Sequence, residues 1–179
     1  MGKTKKIFAC FTDIHAIIAM ALFIALSIVF GKYLAINITS SIRISLENLP
    51  IIITAVAYGP IAGAVVAALA DLIGCILVGY TINPIITLGA VTIGLIAGFF
   101  SMLNCNKYLK SFLSVVPAHI AGSIIIKTIG LYIYYKMPFW LTLGSRIVVY
   151  VITAAAEIII LQILFSQKII QKFGGLHKK

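Results

Sequence analysis

The sequence is poor in acid. Its 179 residues include only four Asp and Glu against fourteen Lys and Arg, and charged residues of both signs make up just 10% of the chain. A soluble domain carries about 25% charged residues, so a water-exposed globule is excluded. A disordered segment, which stays solvated through charge and polarity, is excluded with it. Cysteine is scarce as well: Cys10, Cys75 and Cys105 match no CxxC or other metal-ligand spacing, so neither a disulfide framework nor a metal site is expected. The sequence has no G-x-x-x-x-G-K-S/T phosphate loop, no HExxH and no GxSxG turn. What fills the chain instead is apolar, 62% of all residues, with a mean hydropathy of +1.16. That is the composition of an integral membrane protein.

A formal net charge of +10 would suggest nucleic acid in a soluble chain. The distribution argues otherwise. Lys3, Lys5 and Lys6, then Lys107 and Lys110, then Lys168, Lys172, Lys178 and Lys179 place nine of the fourteen basic residues in three short segments outside the apolar runs. Basic residues gather in this way on the cytoplasmic side of membrane helices, and attraction to lipid headgroups follows from it. Membrane lipid is therefore an expected partner and nucleic acid is not.

A helix needs roughly 20 residues to cross ~30 Å of hydrocarbon. The apolar runs predict helices over about 15–34, 45–58, 61–78, 85–103, 112–135 and 139–165. The second run, Leu49 to Tyr58, ends at the Gly59-Pro60 break and is only ~15 Å long at 1.5 Å per residue. Either it begins inside the preceding polar stretch or it enters the membrane part way, shielded by other helices. If all three basic clusters lie on one side, the number of crossings before Lys107 and the total must both be even. The short run then counts as a crossing. The expected fold is a single all-α membrane domain over 1–179 with six transmembrane helices, a short second helix and both termini cytoplasmic.

Ionisable residues inside such spans are costly and point to function. Asp71 lies ~11 Å from the outer end of the third helix, Lys127 ~12 Å from that of the fifth and Arg146 ~10 Å from that of the sixth. Three charged groups thus share one level, below an outer surface that also carries Arg43 and Lys136. Two readings stand together: an Asp71–Arg146 or Asp71–Lys127 ion pair that pins helices, and an outward-opening pocket for an anionic ligand. Arg146 suits a carboxylate because its planar fork binds two oxygens at once, whereas Lys127 has the alternative of snorkelling outward. Glu157, near the inner end, is expected to face water or a partner. Tyr80, Tyr132, Tyr134, Tyr135, Phe139 and Trp140 crowd the outer end, either as an interfacial belt or as stacking surfaces for a flat ring. Asn83 and Asn37 offer amides to a heterocycle edge. The expected binding set is Arg43, Asp71, Tyr80, Asn83, Lys127, Tyr132, Trp140 and Arg146.

Small residues four apart, Ala21 and Ala25, allow close approach to another helix. The third helix holds Ala62, Gly63, Ala64, Ala67, Ala68, Ala70 and Gly74, for internal packing or for docking. His15, His119 and His177 are scattered. Ser123 shares a helix face with His119, but nothing in the sequence marks either as activated, so no catalytic residue and no enzyme are expected.

The residues resemble a known family at this point. A six-helix protein of this size with A-x-x-x-A in its first helix resembles the substrate-binding S components of energy-coupling factor (ECF) vitamin transporters. Arg43-Ile-Ser-Leu-Glu-Asn-Leu-Pro-Ile, Tyr58-Gly-Pro-Ile-Ala-Gly, Ala70-Asp-Leu-Ile-Gly, Tyr80-Thr-Ile-Asn-Pro-Ile-Ile-Thr-Leu-Gly and the Pro138-Phe…Arg146 segment are similar to the pattern of the folate-specific branch. The resemblance implies a bacterial plasma-membrane subunit without a cofactor of its own that captures folate outside. It would then dock through Ala21 and Ala25 on a T component coupled to two ATPase subunits, which hydrolyse the ATP. The loop from Asn37 to Glu47 would act as a lid. The alternatives are an S component for riboflavin, pantothenate or a queuosine precursor and, in a different class, a small intramembrane enzyme or assembly factor.

Overall fold

A computed structural model describes residues 9–39, 42–167 and 170. Lys3, Lys5, Lys6, Ser40, Ser41, Lys168, Lys172, His177, Lys178 and Lys179 lie outside the described residues, as does the side chain of Asn37. In hydrocarbon a backbone satisfies its own polar groups only by helix or closed barrel, and long apolar runs free of breakers take the first route here. Helix α1, Ile14–Tyr33, starts at Asp13, whose carboxylate accepts from the His15 N–H, and its last turn, Val29–Tyr33, is π-helical. Then come α2 (Asn48–Tyr58), α3 (Pro60–Val78), α4 (Pro84–Ser101), α5 (Lys107–Tyr135) and α6 (Phe139–Ser166). The breaks follow the chain's Gly and Pro. Gly59 at φ 99° and Gly79 at φ 71° bracket α3, and proline opens both α3 and α4, where a missing N–H costs nothing.

All the helices except α2 are long and apolar enough to cross a membrane. α2 has eleven residues, nearly all buried, and it packs against α1, α3 and α4. That resolves how so short a run is accommodated: the neighbouring helices shield it, as the apolar character of all its faces requires. It starts at Asn48 rather than at 45, because the residues ahead of it are drawn into a hairpin. Strands β1 (Ile36–Thr39) and β2 (Ile42–Ile44) pair antiparallel with Ile36 opposite Ile44 and Asn37 opposite Arg43. The stretch expected to be a polar loop thus holds a small ribbon, with β2 lying against α6. α5 starts at Lys107, earlier than 112, because its first turns are amphipathic: Tyr108 and Leu109 are exposed while Ser111, Ser114 and Val115 are buried.

The bundle is organised around α3 and α4, whose backbones touch. A Cβ on Gly94 would lie 2.4 Å from the carbonyl carbon of Gly63, and one on Gly63 would lie 2.5 Å from Ala55 Cβ of α2. Ala62, Gly63, Ala67, Ala70 and Gly74 are all buried, so the small face of α3 serves internal packing. Ala21 and Ala25 of α1 are exposed instead. Around the bundle Ile18, Leu22, Ile76, Phe99, Leu141 and Val151 point outward. So continuous an apolar surface is incompatible with water and fits lipid. The protein is a helical integral membrane protein.

Because the α3–α4 contact is backbone against backbone, it cannot be relieved by rotating a side chain. Overpacked cores lose about 1–3 kcal/mol, and Gly94→Leu is expected to reach or exceed the top of that range. Thermal unfolding of the purified protein in detergent would show it as a large drop in midpoint. Val65→Leu, on the lipid-facing side of α3, should change the midpoint little.

Candidate functional site

At the end of the bundle where α1, α3 and α5 finish and α2, α4 and α6 begin lies a cavity of about 280 Å³. Charged side chains reach it from six places: Lys32 from the π turn of α1, Arg43 from β2, Glu47 just ahead of α2, Asp71 from α3, Lys127 from α5 and Arg146 from α6. Tyr80 and Asn83 enter from the α3–α4 turn, and Tyr135, Thr142 and Tyr150 complete much of the wall. Six of the eight residues expected from sequence are therefore gathered around one space: Arg43, Asp71, Tyr80, Asn83, Lys127 and Arg146. Tyr132 and Trp140 do not line it. They flank Phe139 in edge-to-face contacts at 6.0 and 5.6 Å and are largely exposed, the placement of an interfacial aromatic group.

Close approach is what admits so many charges. A Cβ on Gly31 would sit 2.8 Å from Glu47 Oε2, one on Gly74 would sit 2.9 Å from Lys32 Cε, and one on Gly89 would sit 2.7 Å from Lys127 Cγ. Each of these three charged side chains lies in a notch left by a glycine on a facing helix. Lys127 Nζ donates to Glu47 Oε1 at 3.1 Å and is 4% exposed, so it neither snorkels outward nor pairs with Asp71. Asp71 forms neither expected ion pair: its Oδ2 accepts from the Thr87 hydroxyl at 2.6 Å. The reason is angular. Depth along a helix fixes the level of a side chain but not the side of the bundle it faces, and Glu47 reaches Lys127 first.

Arg146 owes its position to a helical irregularity. Within α5, residues His119–Ile126 are π-helical, and the Lys127 N–H bonds to the Gly122 carbonyl five residues back. Ser123's carbonyl loses its ordinary α-helical donor and accepts from Arg146 Nη1 at 3.0 Å instead. The same nitrogen donates to the Tyr150 hydroxyl at 3.3 Å. The rest of the guanidinium fork is left to the cavity. Asn83 is more committed: its side-chain oxygen caps the N–H groups of Ile85 and Ile86, and its nitrogen donates to the Gly130 carbonyl. It fixes the start of α4 against α5.

Sequence reasoning passed over Lys32 and Tyr150. Lys32 stands at a helix end, where a lysine ordinarily reaches water, but the π turn lays it across Gly74 with its ammonium 5.4 Å from the centre of the Tyr80 ring. Tyr150 lies one helical turn beyond Arg146, and that i,i+4 spacing was the available signal. Glu157 also departs from expectation. It is fully buried, and its Oε2 lies 2.6 Å from His119 Nε2 rather than facing water. His119 Nδ1 meets Ser123 Oγ at 3.1 Å. These three have the connectivity of a hydrolytic triad, yet each is at most 2% exposed and none lines the cavity. Among the described residues no group of three His, Cys, Asp or Glu side chains converges as a metal site.

The cavity therefore holds four cationic groups against two carboxylates, bordered by tyrosines, at one end of a membrane bundle. Such a lining is chemically suited to an anion with a flat, hydrogen-bonding body. Among curated proteins none matches the sequence. In fold the chain is similar to a crystal structure of FolT bound with folic acid, with a TM-score of 0.73 and 24% identity over 87% of this chain and 95% of that one. Residues 15–165, from the start of α1 almost to the end of α6, match the family described as ECF transporter, substrate-specific component, and the chain belongs to that family.

Proposed function

We propose that this chain is the S component that captures folate for an ECF importer. The observation that carries the reading is the charge of the cavity. Lys32, Arg43, Lys127 and Arg146 against Glu47 and Asp71 leave a surplus of two positive charges. That surplus suits the two carboxylates of folate's glutamate, and Tyr80, Tyr135 and Tyr150 suit its flat pterin and benzoyl rings. A folate-bound protein with the same fold supports the choice over riboflavin or pantothenate. Arg146 and Arg43 are the carboxylate-side residues, Lys127 lines the cavity paired with Glu47, Tyr80 is a stacking surface, and Asp71 and Asn83 are the polar wall. Tyr132 and Trp140 belong to the rim.

Six crossings with both termini cytoplasmic put this cavity on the outer face of a bacterial plasma membrane. In that orientation Lys107 and Lys110 fall inside and the hairpin outside, where it covers the cavity mouth as a lid. The protein performs no catalysis. Its work is to hand the vitamin to a T component, driven by two ATPase subunits. The docking face includes Ala21 and Ala25, which are exposed on α1 and present no bulk to a partner helix.

Titration of the purified protein with folate, riboflavin, pantothenate and thiamine tests the ligand. Folate alone should bind tightly, and no folate binding would remove the assignment. Arg146→Ala should weaken folate by about 30-fold, equivalent to about 2 kcal/mol, in a protein that still folds but unfolds at a lower midpoint because the Ser123 carbonyl loses its donor. Unchanged affinity would return Arg146 to a structural role. Replacing Ala21 and Ala25 together by Trp should abolish folate uptake in cells carrying the complete transporter while leaving Kd untouched. Uptake at the wild-type rate would remove the docking face.

A further inference from the structure

A buried polar cluster lies between the π-helical part of α5 and α6. His119 and Glu157 are 2% and 0% exposed, and a carboxylate in such surroundings is expensive unless it is paired and hydrogen-bonded. One oxygen, Oε1, has no hydrogen-bond partner among the described residues, so packing alone gives no reason for a glutamate here. The other oxygen holds His119 Nε2 at 2.6 Å, and Ser123 Oγ holds His119 Nδ1 at 3.1 Å. With both nitrogens engaged, the imidazole cannot turn.

The face of that fixed ring is occupied. Tyr150 lies against it with ring centres 5.1 Å apart and planes inclined by 32°. The Tyr150 hydroxyl accepts from Arg146, and the guanidinium also lies 5.8 Å from the centre of the Tyr150 ring. The second protein bond of Arg146 Nη1 goes to the carbonyl of Ser123, the residue whose hydroxyl anchors His119. Tyr150, one of the two groups that hold Arg146, thus packs on a ring that Ser123 Oγ and Glu157 fix.

We propose that His119 and Glu157 are positioning residues for substrate binding, holding Tyr150 so that Arg146 presents its free nitrogens to the cavity. The proposal rests on the reading of Arg146 as a ligand-binding residue. Neither His119 nor Glu157 lines the cavity, so any effect on affinity must travel through the groups between. A purely structural role would lower stability and leave the affinity of the folded protein alone.

The test is a double-mutant cycle on Kd for folate, using purified protein checked by thermal unfolding. Glu157→Gln should weaken binding about 10-fold in the wild-type background and less than 2-fold when Arg146→Ala is already present. Ser123→Ala removes one anchor of the imidazole with little change of volume and leaves the backbone carbonyl in place. It should weaken binding about 3-fold, again only while Arg146 is present, and it decides the matter if Glu157→Gln does not fold. Wild-type affinity in these variants, or losses that multiply with that of Arg146→Ala, would overturn the proposal. If Arg146→Ala itself binds folate like the wild type, the ligand-binding role of Arg146 falls and the proposal falls with it.

Discussion

The pair formed by Lys127 and Glu47 is the interaction on which the arrangement of the cavity depends. A lysine placed in the fifth helix of a membrane bundle needs a counter-charge, because an unpaired ammonium in hydrocarbon is among the costliest groups a helix can carry. Glu47 supplies it from outside the helices, at 3.1 Å, and in doing so draws the end of the hairpin and the start of α2 toward α5. A second bond pins the same residue to α1, where Ser27 Oγ donates to the Glu47 carbonyl at 2.7 Å. One loop residue therefore joins α1, α2 and α5 and forms one wall of the site. The glycines at 31 and 89 follow from it, since a side chain at either position would meet the acid or the stem of the lysine.

With Lys127 neutralised, the other cations of the cavity have different duties. Lys32 lies over the Tyr80 ring, Arg43 stands on β2, and Arg146 is held by protein oxygens at one nitrogen only. Asp71 is turned to Thr87. An anion entering this cavity would thus meet positive groups whose hydrogen-bonding capacity is largely unspent, and charge-assisted bonds are the strong ones. The division of labour between one internally paired cation and several open ones is what allows a cationic cavity to exist in a bundle before any ligand is bound.

Much of this was legible in the sequence, for a simple reason. The rise of 1.5 Å per residue converts position into depth, so Asp71, Lys127 and Arg146 could be placed on one level before any coordinates. Gly59-Pro60, Gly79, Asn83-Pro84 and Pro138 marked the turns. What depth does not carry is azimuth: it offers Asp71 as a partner to either Arg146 or Lys127, where the structure pairs Lys127 with Glu47, and it leaves Glu157 to water or a partner, where the structure sets it against His119. The hairpin left a signal in the period-two isoleucines Ile36, Ile38, Ile42 and Ile44, which the abundance of Ser and Thr obscured. The π-helical turns left none, because nothing in local composition separates Val29–Tyr33 or His119–Ile126 from ordinary apolar helix.

Those π-helical segments also explain how helices meant for lipid can carry a polar site. A regular α-helix uses its interior carbonyls on its own backbone and has little to offer a neighbouring arginine. Widening α5 by one residue per turn sends the Lys127 N–H to Gly122 and frees the Ser123 carbonyl. A carbonyl left alone there would be as unfavourable as an unpaired arginine. Each cancels the other's cost when Arg146 donates to Ser123. The π turn at the end of α1 acts in the same sense, placing Lys32 across Gly74 and under Tyr80. In both places the departure from α-helical geometry and the charged residue it serves are conditions for one another, and both charged residues line the same cavity.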